Sequence, residues 1–334
     1  MPVLISLAPL VIGFCVDLIL GDPHSIPHPV VLIGKLISGF EKLFRRLFPR
    51  TPQGEKLAGL ALGLCVAALS WLVPAALLWL CRQISPWLAL ALESAMCWQI
   101  LATKSLRDES MKVFRALESG DLTASRRAVS MIVGRDTQRL DEAGVARAAV
   151  ETVAENTSDG VVAPLVFLAI GGAPLGFLYK AVNTMDSMLG YTDPPYRDIG
   201  FFPAKLDDVF NFLPARLSAL LMLAAGALLG MDVKNGWRIF RRDRYCHASP
   251  NSAQTESVCA GLLGLRLAGT PGITASSTKS PISGTRSGRS SMVTFPGPAV
   301  CCTPRRRWPW SSAPGAGPWQ SFCSERRPPY ALPS

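Results

Sequence analysis

Charge is scarce in this chain, and acidic charge most of all. Only 17% of its 334 residues are charged, histidine occurs three times, and 24 acidic residues face 34 basic ones. With 49% hydrophobic residues and a mean hydropathy of +0.26, this excludes an ordinary soluble domain and points to an integral membrane protein. The nine cysteines make no Cys-x-x-Cys pair, and Cys15, Cys65 and Cys97 sit inside apolar runs. That argues against a disulfide scaffold or zinc site and for a reduced, cytoplasm-facing protein. Neither G-x-x-x-x-G-K-[ST] nor G-x-G-x-x-G occurs, so a standard nucleotide cradle is absent and any nucleotide must bind at a non-standard site.

Apolar runs are abundant. A membrane-crossing helix needs about 20 mostly apolar residues, and residues 2–20, 57–81, 84–103 and 212–231 meet or approach that length. A fifth run, 161–182, is broken by Gly171, Gly172, Pro174 and Gly176, so it reads as kinked or re-entrant. The first run has no basic start and no small-residue cleavage site before Gly21, which favours a retained span over a signal peptide. The fold class expected is an all-α polytopic membrane protein with four to five membrane helices. Basic residues cluster beside the runs, at Lys42, Arg45, Arg46 and Arg50 and again at Arg238, Arg241, Arg242 and Arg244. This pattern is the positive-inside signature and not a nucleic-acid stripe.

Residues 104–160 look soluble and helical, with breaks expected at Gly120 and caps at Asp121 and Asp136. In the third of these helices Arg147, Glu151 and Glu155 recur every fourth residue on one face, with Asn156 and Asp159 at its end. An exposed salt-bridge stripe has the same spacing. Asp159 and Gly160, however, stand directly before an apolar run, where an unpaired carboxylate is costly to bury. A second polar island, residues 183–216, holds Asn183, Asp186, Asp193, Asp198, Lys205, Asp207, Asp208 and Arg216. Carboxylates that take magnesium beside cations that take phosphate suit a nucleotide-dependent transfer; a wet loop is the alternative. Asp17, Asp22, His24 and His28 surround a Pro-rich turn after the first run, and His247, Asn251, Gln254, Thr255 and Glu256 make a third polar stretch.

Taken in order, DLILGDP, HPVVLIG, GRD, ETVAENTSDG, NTMDSMLGY, AKLDD, the N-x-x-PAR of Asn211 to Arg216, RRDRY and HASPNSAQTES resemble the CobD/CbiB family of cobalamin biosynthesis over about four fifths of the chain. The resemblance implies a multi-pass ligase of the bacterial inner membrane with a cytoplasmic site, joining adenosylcobyric acid to aminopropanol or its phosphate. ATP as cosubstrate and Mg2+ are implied with it. So is a lipid environment, with no nucleic-acid partner; a complex with other cobalamin-assembly enzymes is a further expectation. Activating a carboxylate for amidation requires a better leaving group, which phosphoryl transfer supplies, and cations must offset the phosphate charge. On that basis Glu155, Asp159 and Lys205 are the expected catalytic residues. Glu151, Glu155, Asp159, Asp207 and Asp208 are the expected metal set. Asp22, His28, Asn156, Asn183, Asp186, Arg216, His247 and Asn251 are the expected substrate contacts. A permease or an anchoring subunit of a cobalamin-assembly complex is the competing reading, although no paired repeat marks the two halves.

Topology poses a problem, because a simple five-span count puts residues 104–160 and 183–211 on opposite sides. One shared site therefore requires residues 161–182 to re-enter, or 183–216 to fold back into a cavity. After about Gly269 the chain becomes rich in Ser, Pro, Arg and Thr. Joining the last base of each codon to the first two of the next lets TPGITASSTKSPISGT encode NAWYYGKLHEKPYIGD, which resembles the family's continuation. Residues 1–268 are thus expected to be the membrane domain, and 269–334 a frameshifted, non-native tail.

Overall fold

The computed structural model describes residues 2–23, 28–134 and 136–267, with side chains from residue 7 onward. His24, Arg135 and the expected tail from residue 269 lie outside the described residues. Among the described residues every regular element is helical: α1 (Pro2–Leu20), α2 (Pro29–Leu47), α3 (Pro52–Ile84), α4 (Pro86–Ile100), α5 (Thr103–Glu118), α6 (Leu122–Ser130), α7 (Glu142–Asn156), α8 (Ala163–Leu189), α9 (Phe201–Phe210), α10 (Phe212–Leu228), α11 (Val233–Asp243) and α12 (Ser252–Leu263). A π-helical turn, Thr157–Val162, joins α7 to α8 without a break.

Local sequence sets many of the ends. Proline opens α2, α3 and α4 at the first helical position, where its missing N–H costs nothing. Thr51, Ser85, Asp121 and Asp141 cap α3, α4, α6 and α7 with side-chain oxygens. Gly120 turns the chain out of α5 with φ +73°. The cap of α7 is Asp141 and not Asp136, whose side chain instead accepts from Gln138 N in the preceding turn.

The five apolar runs do not become five equal spans. α3, at 33 residues, is about 50 Å long and exceeds a hydrocarbon core of about 30 Å. Residues 201–228 qualify only as a pair of helices bent by 46° at Asn211, α1 is apolar over Leu7–Leu20, and α4 has 15 residues. The continuous helical run Glu142–Leu189 is long and apolar enough to cross, yet it folds back on itself. Gly171 and Gly172 leave helical geometry, Gly172 with φ 64° and ψ −163°, and residues on the two sides of that point meet. Phe167 stacks on Tyr179 with centroids 4.8 Å apart, and Tyr179 Oη reaches the Asp159 carbonyl at 3.1 Å. α8 therefore folds back as a helical hairpin at the glycine break. Its returning arm starts at Ala173, whose N–H points at Glu93 Oε1 of α4, 3.4 Å away.

The main apolar core is built by α2, α3, α4 and both arms of α8, around Ile37, Leu62, Val66, Ile100, Leu168, Val182 and Met185. α1 lies on α4 at Gly13, where an added Cβ would meet the α4 backbone at 2.8 Å; only a small residue permits that approach. α5, α6 and α7 form a separate small core with Val113, Leu117, Val129 and Val145. A third groups α10, α11 and α12 around Ala219, Phe240 and Val258.

Candidate active site

The α8 hairpin turns a pair of distant acidic motifs into neighbours. Its base lies at the π turn, and its returning arm brings Asn183 back beside Asp159. Asn183 Nδ2 lies 3.4 Å from Asp159 Oδ2 and 3.4 Å from Asp207 Oδ1 of α9. A π turn widens the helix by one residue and is a common feature of functional sites. Here it holds Ser158 and Asp159 at the wall of a cavity of about 1310 Å³.

That cavity gathers Glu155 and Asp159 from the first acidic motif, Asp186, Lys205, Asp207 and Asp208 from the second island, and His247, Asn251 and Ser252 from the third stretch. All three polar regions singled out in the sequence converge there. The carboxylates are individually held. Ser252 Oγ donates to Glu155 Oε1 at 2.8 Å, and Lys205 Nζ meets Asp208 Oδ2 at 2.9 Å. Asn211 Nδ2 donates to Asp207 Oδ1 and Oδ2 at 2.9 and 3.0 Å. Asn211 is in turn oriented by Tyr179, whose Oη lies 2.9 Å from Asn211 Oδ1. Since Tyr179 is fully buried and stacked on Phe167, which also stacks on Phe210, the polar network rests on an aromatic seam.

The other expected site residues divide. Asn251 Nδ2 donates to the Asp208 carbonyl at 2.9 Å, which ties the third stretch to α9. His247 Nδ1 accepts from Ser249 N at 3.0 Å, leaving Nε2 as the protonated nitrogen of the neutral ring. Arg216 stands at the edge, its guanidinium 3.5 Å above the Phe212 ring and 3.4 Å from Asn251 Oδ1. Glu151 is buried and is not among the cavity-lining residues. Asn156 turns its amide back onto the Thr152 carbonyl at 3.0 Å. The helical path does not stop at Asp159, as the sequence pattern suggested: α7 ends at Asn156 and the chain runs on through the π turn into α8.

Asp22 and His28 lie apart from the cavity. Ser105 Oγ donates to Asp22 Oδ2 at 2.8 Å, and His28 Nε2 lies 3.6 Å from Asp22 Oδ1. Burial alone would raise the Asp22 carboxyl, but the hydrogen bonds and charge from His28, Ser105 and Lys180 outweigh it and hold the group below the usual carboxylate range. Lys180, on the returning arm, lies within electrostatic reach of both Asp22 and Asp159. It links this cluster to the main site, and neither it nor Tyr179 was singled out from the sequence. Both sit inside an apolar run, where one polar residue carries no pattern. Asn211 was legible, since it follows Asp207 by one helical turn.

Among the described residues no three His, Cys, Asp or Glu side chains form a ready-made metal cluster. That donor set still fits magnesium, which keeps several waters and takes one or two protein carboxylates together with phosphate oxygens.

A family model described as CobD/CbiB protein matches residues 10–290. Cobalamin biosynthesis protein CobD of Clostridium perfringens is 47% identical over 260 residues, 78% of this chain and 82% of the relative. CobD of Geobacter metallireducens is 49% identical over 255 residues, 76% of this chain and 79% of its own length. Cobalamin biosynthesis protein CbiB of Salmonella typhi is 46% identical over 261 residues, 77% and 81% of the two chains. No solved structure matches the chain. An all-helical membrane-type fold, motifs that close on one polar cavity, and this degree of identity over three quarters of the sequence place the chain in the CobD/CbiB family.

Proposed function

We propose that this protein acts in cobalamin biosynthesis as an ATP-dependent ligase, forming the amide between adenosylcobyric acid and (R)-1-amino-2-propanol or its O-phosphate at the bacterial inner membrane. The observation that carries the reading is the convergence of the three polar regions on one cavity of about 1310 Å³. Drug-sized pockets run to roughly 1,000 Å³, and this one exceeds them, as a bulky substrate requires.

The reaction couples a carboxylate carbon to an amine nitrogen while phosphoryl transfer removes the carboxylate oxygen. Magnesium, when bound, would offset phosphate charge, and Asp159 and Asp207, which share Asn183, would be the carboxylates that hold it. Glu155, fixed by Ser252, accepts the proton released by the attacking amine. Lys205 and His247 stand on the cavity wall to meet phosphate oxygens, with Arg216 at its edge. The Asn211 amide keeps both Asp207 oxygens aligned. The hairpin fold disfavours the permease reading, because the acidic groups sit at one mouth and not along a path through two repeats.

The test is amide formation in proteoliposomes, with ATP consumption followed in parallel. Glu155→Ala and Asp207→Asn should each lower condensation by about 100-fold or more, the usual scale for losing an electrostatic contact in a reacting site. Full ATP-dependent condensation by either variant would remove that residue from the scheme. Substrate movement across vesicles without ATP-linked amide formation would replace the ligase with the permease. We also propose that residues from about 269 onward are read out of frame. The family match runs to residue 290, past that point, so the coding DNA is the deciding observation. A single-base change there predicts that the corrected chain exceeds the present one in condensation, and its absence refutes the proposal.

A further inference from the structure

α11 carries a basic face that takes no part in the cavity just described. Its buried side, Gly236, Ile239, Phe240 and Asp243, packs on α12 and α10 through the third core. On the opposite side Lys234, Trp237, Arg238, Arg241 and Arg242 are all exposed, as is Tyr245 just beyond the helix. The two acidic residues of this stretch are already used. Asp232 caps the helix by accepting from Asn235 N at 2.9 Å, and the fully buried Asp243 takes Arg242 at 2.8 and 2.9 Å. Among the described residues Lys234, Arg238 and Arg241 have no acidic partner; Arg238 Nη2 donates to the neutral Asn235 Oδ1 at 2.6 Å and keeps its charge unpaired.

Position adds the second argument. α11 follows the apolar α10 after a turn of four residues, and the end of α10 presents Leu228 at 87% exposure and Leu229 at 41%. Leucines that open to solvent belong in hydrocarbon, so the start of α11 stands at the boundary where acyl chains give way to headgroups. Trp237, 45% exposed, and Tyr245, 64% exposed, have the amphipathic rings that settle at that depth. Three cations without an acidic partner beside two such rings match an anionic lipid surface in charge and in layering.

We propose that α11 is an interfacial helix whose Lys234, Arg238 and Arg241 bind the headgroups of anionic phospholipids, with Trp237 seated among them. The partner is the bilayer itself, and the contact holds the α10–α12 side of the cavity against it. It stands independently of the ligase reading, because its readout is lipid contact and not turnover.

The full chain would be reconstituted in phosphatidylcholine vesicles carrying either brominated phosphatidylglycerol or the same fraction of brominated phosphatidylcholine. Trp237 emission is the component that W237F removes. It should be quenched more by the anionic brominated lipid than by the neutral one. Each charge near the surface is worth about fivefold in local lipid enrichment, so a K234Q/R238Q/R241Q variant should equalise the two signals. Raising the salt, which shortens screening from about 10 Å towards 3 Å, should do the same for the unaltered chain. Arg242 stays in place, since removing it would strand the buried Asp243 and confound the fold. Equal quenching by both lipids in the unaltered chain overturns the selective contact and leaves simple insertion of Trp237. No quenching by either means that another part of the chain or a protein covers this face, and also overturns it.

Discussion

Single side chains decide how the polar interior is tolerated. Tyr179 is fully buried and shares its one hydroxyl proton between Asn211 Oδ1 and the Asp159 carbonyl. Tyr179→Phe leaves both acceptors unsatisfied and should cost about 1–3 kcal/mol, read as a lower thermal midpoint in detergent with the helical signal unchanged. Asp22 gives a pH-dependent case. Its folded-state pKa lies below the ordinary value, so its stabilisation is complete above the unfolded carboxylate range and is lost as pH falls through the depressed folded value. Asp22→Asn should therefore lower the midpoint by about 2–3 °C near neutrality, and the gap from the parent should close in acid. A gap that is unchanged down to the lowest pH tested would show that Asp22 is held by packing and not by charge. Asp207 illustrates what residues reveal in advance. Its acidity and its Asn211 partner one turn on are visible in the sequence, whereas its proximity to Asp159 is not.

At the level of elements the hairpin of α8 matters most. Gly172 occupies a backbone region open only to glycine, and an added Cβ would collide with the Glu93 carboxylate. Gly172→Ala should cost roughly 1–3 kcal/mol of backbone strain and dislodge the returning arm, read as faster proteolysis and loss of condensation together. Gly39→Ala supplies the contrast, because nothing lies within 4 Å of that position in α2 and removing a helical glycine should stabilise by about 0.5–1 kcal/mol. If both substitutions behave alike, the hairpin turn is not the point of strain. The breaks at Gly171 and Gly172 were readable as a kink, but a continuous crossing and a fold-back share that signature. Phe167 on Tyr179 distinguishes them, and that contact spans residues too far apart for helical periodicity to report.

For the molecule as a whole, the shared cavity joins residues that a simple count of apolar runs would place on opposite sides. Asp193, Lys205 and His247 all line it, so single cysteines at these positions, in a background lacking native cysteine, should be labelled from the same face of the membrane. Labelling of 193 and 205 from one face and 247 from the other would separate the motifs and dismantle the site. The same logic explains why α4 failed the count. Its composition is apolar, but Ser85 and Pro86 start it and Leu101 ends it after 15 residues, so it supports the hairpin tip through Glu93.

What the amino-acid sequence determined alone was local or compositional: an all-helical membrane chain, the proline and hydroxyl caps, the break at Gly171 and Gly172, and the polar motifs whose residues line the cavity. These follow from steric limits on single residues and from the cost of burying polar groups in hydrocarbon, both of which act within a few residues. The joining of Glu155, Asp159, Asp207 and Asn251 around one cavity, the removal of Glu151 and Asn156 from its wall, and the parts taken by Tyr179 and Lys180 were decided only in three dimensions. They depend on the arms of α8 returning across the core, and packing between residues far apart in the chain leaves no periodic trace in the sequence.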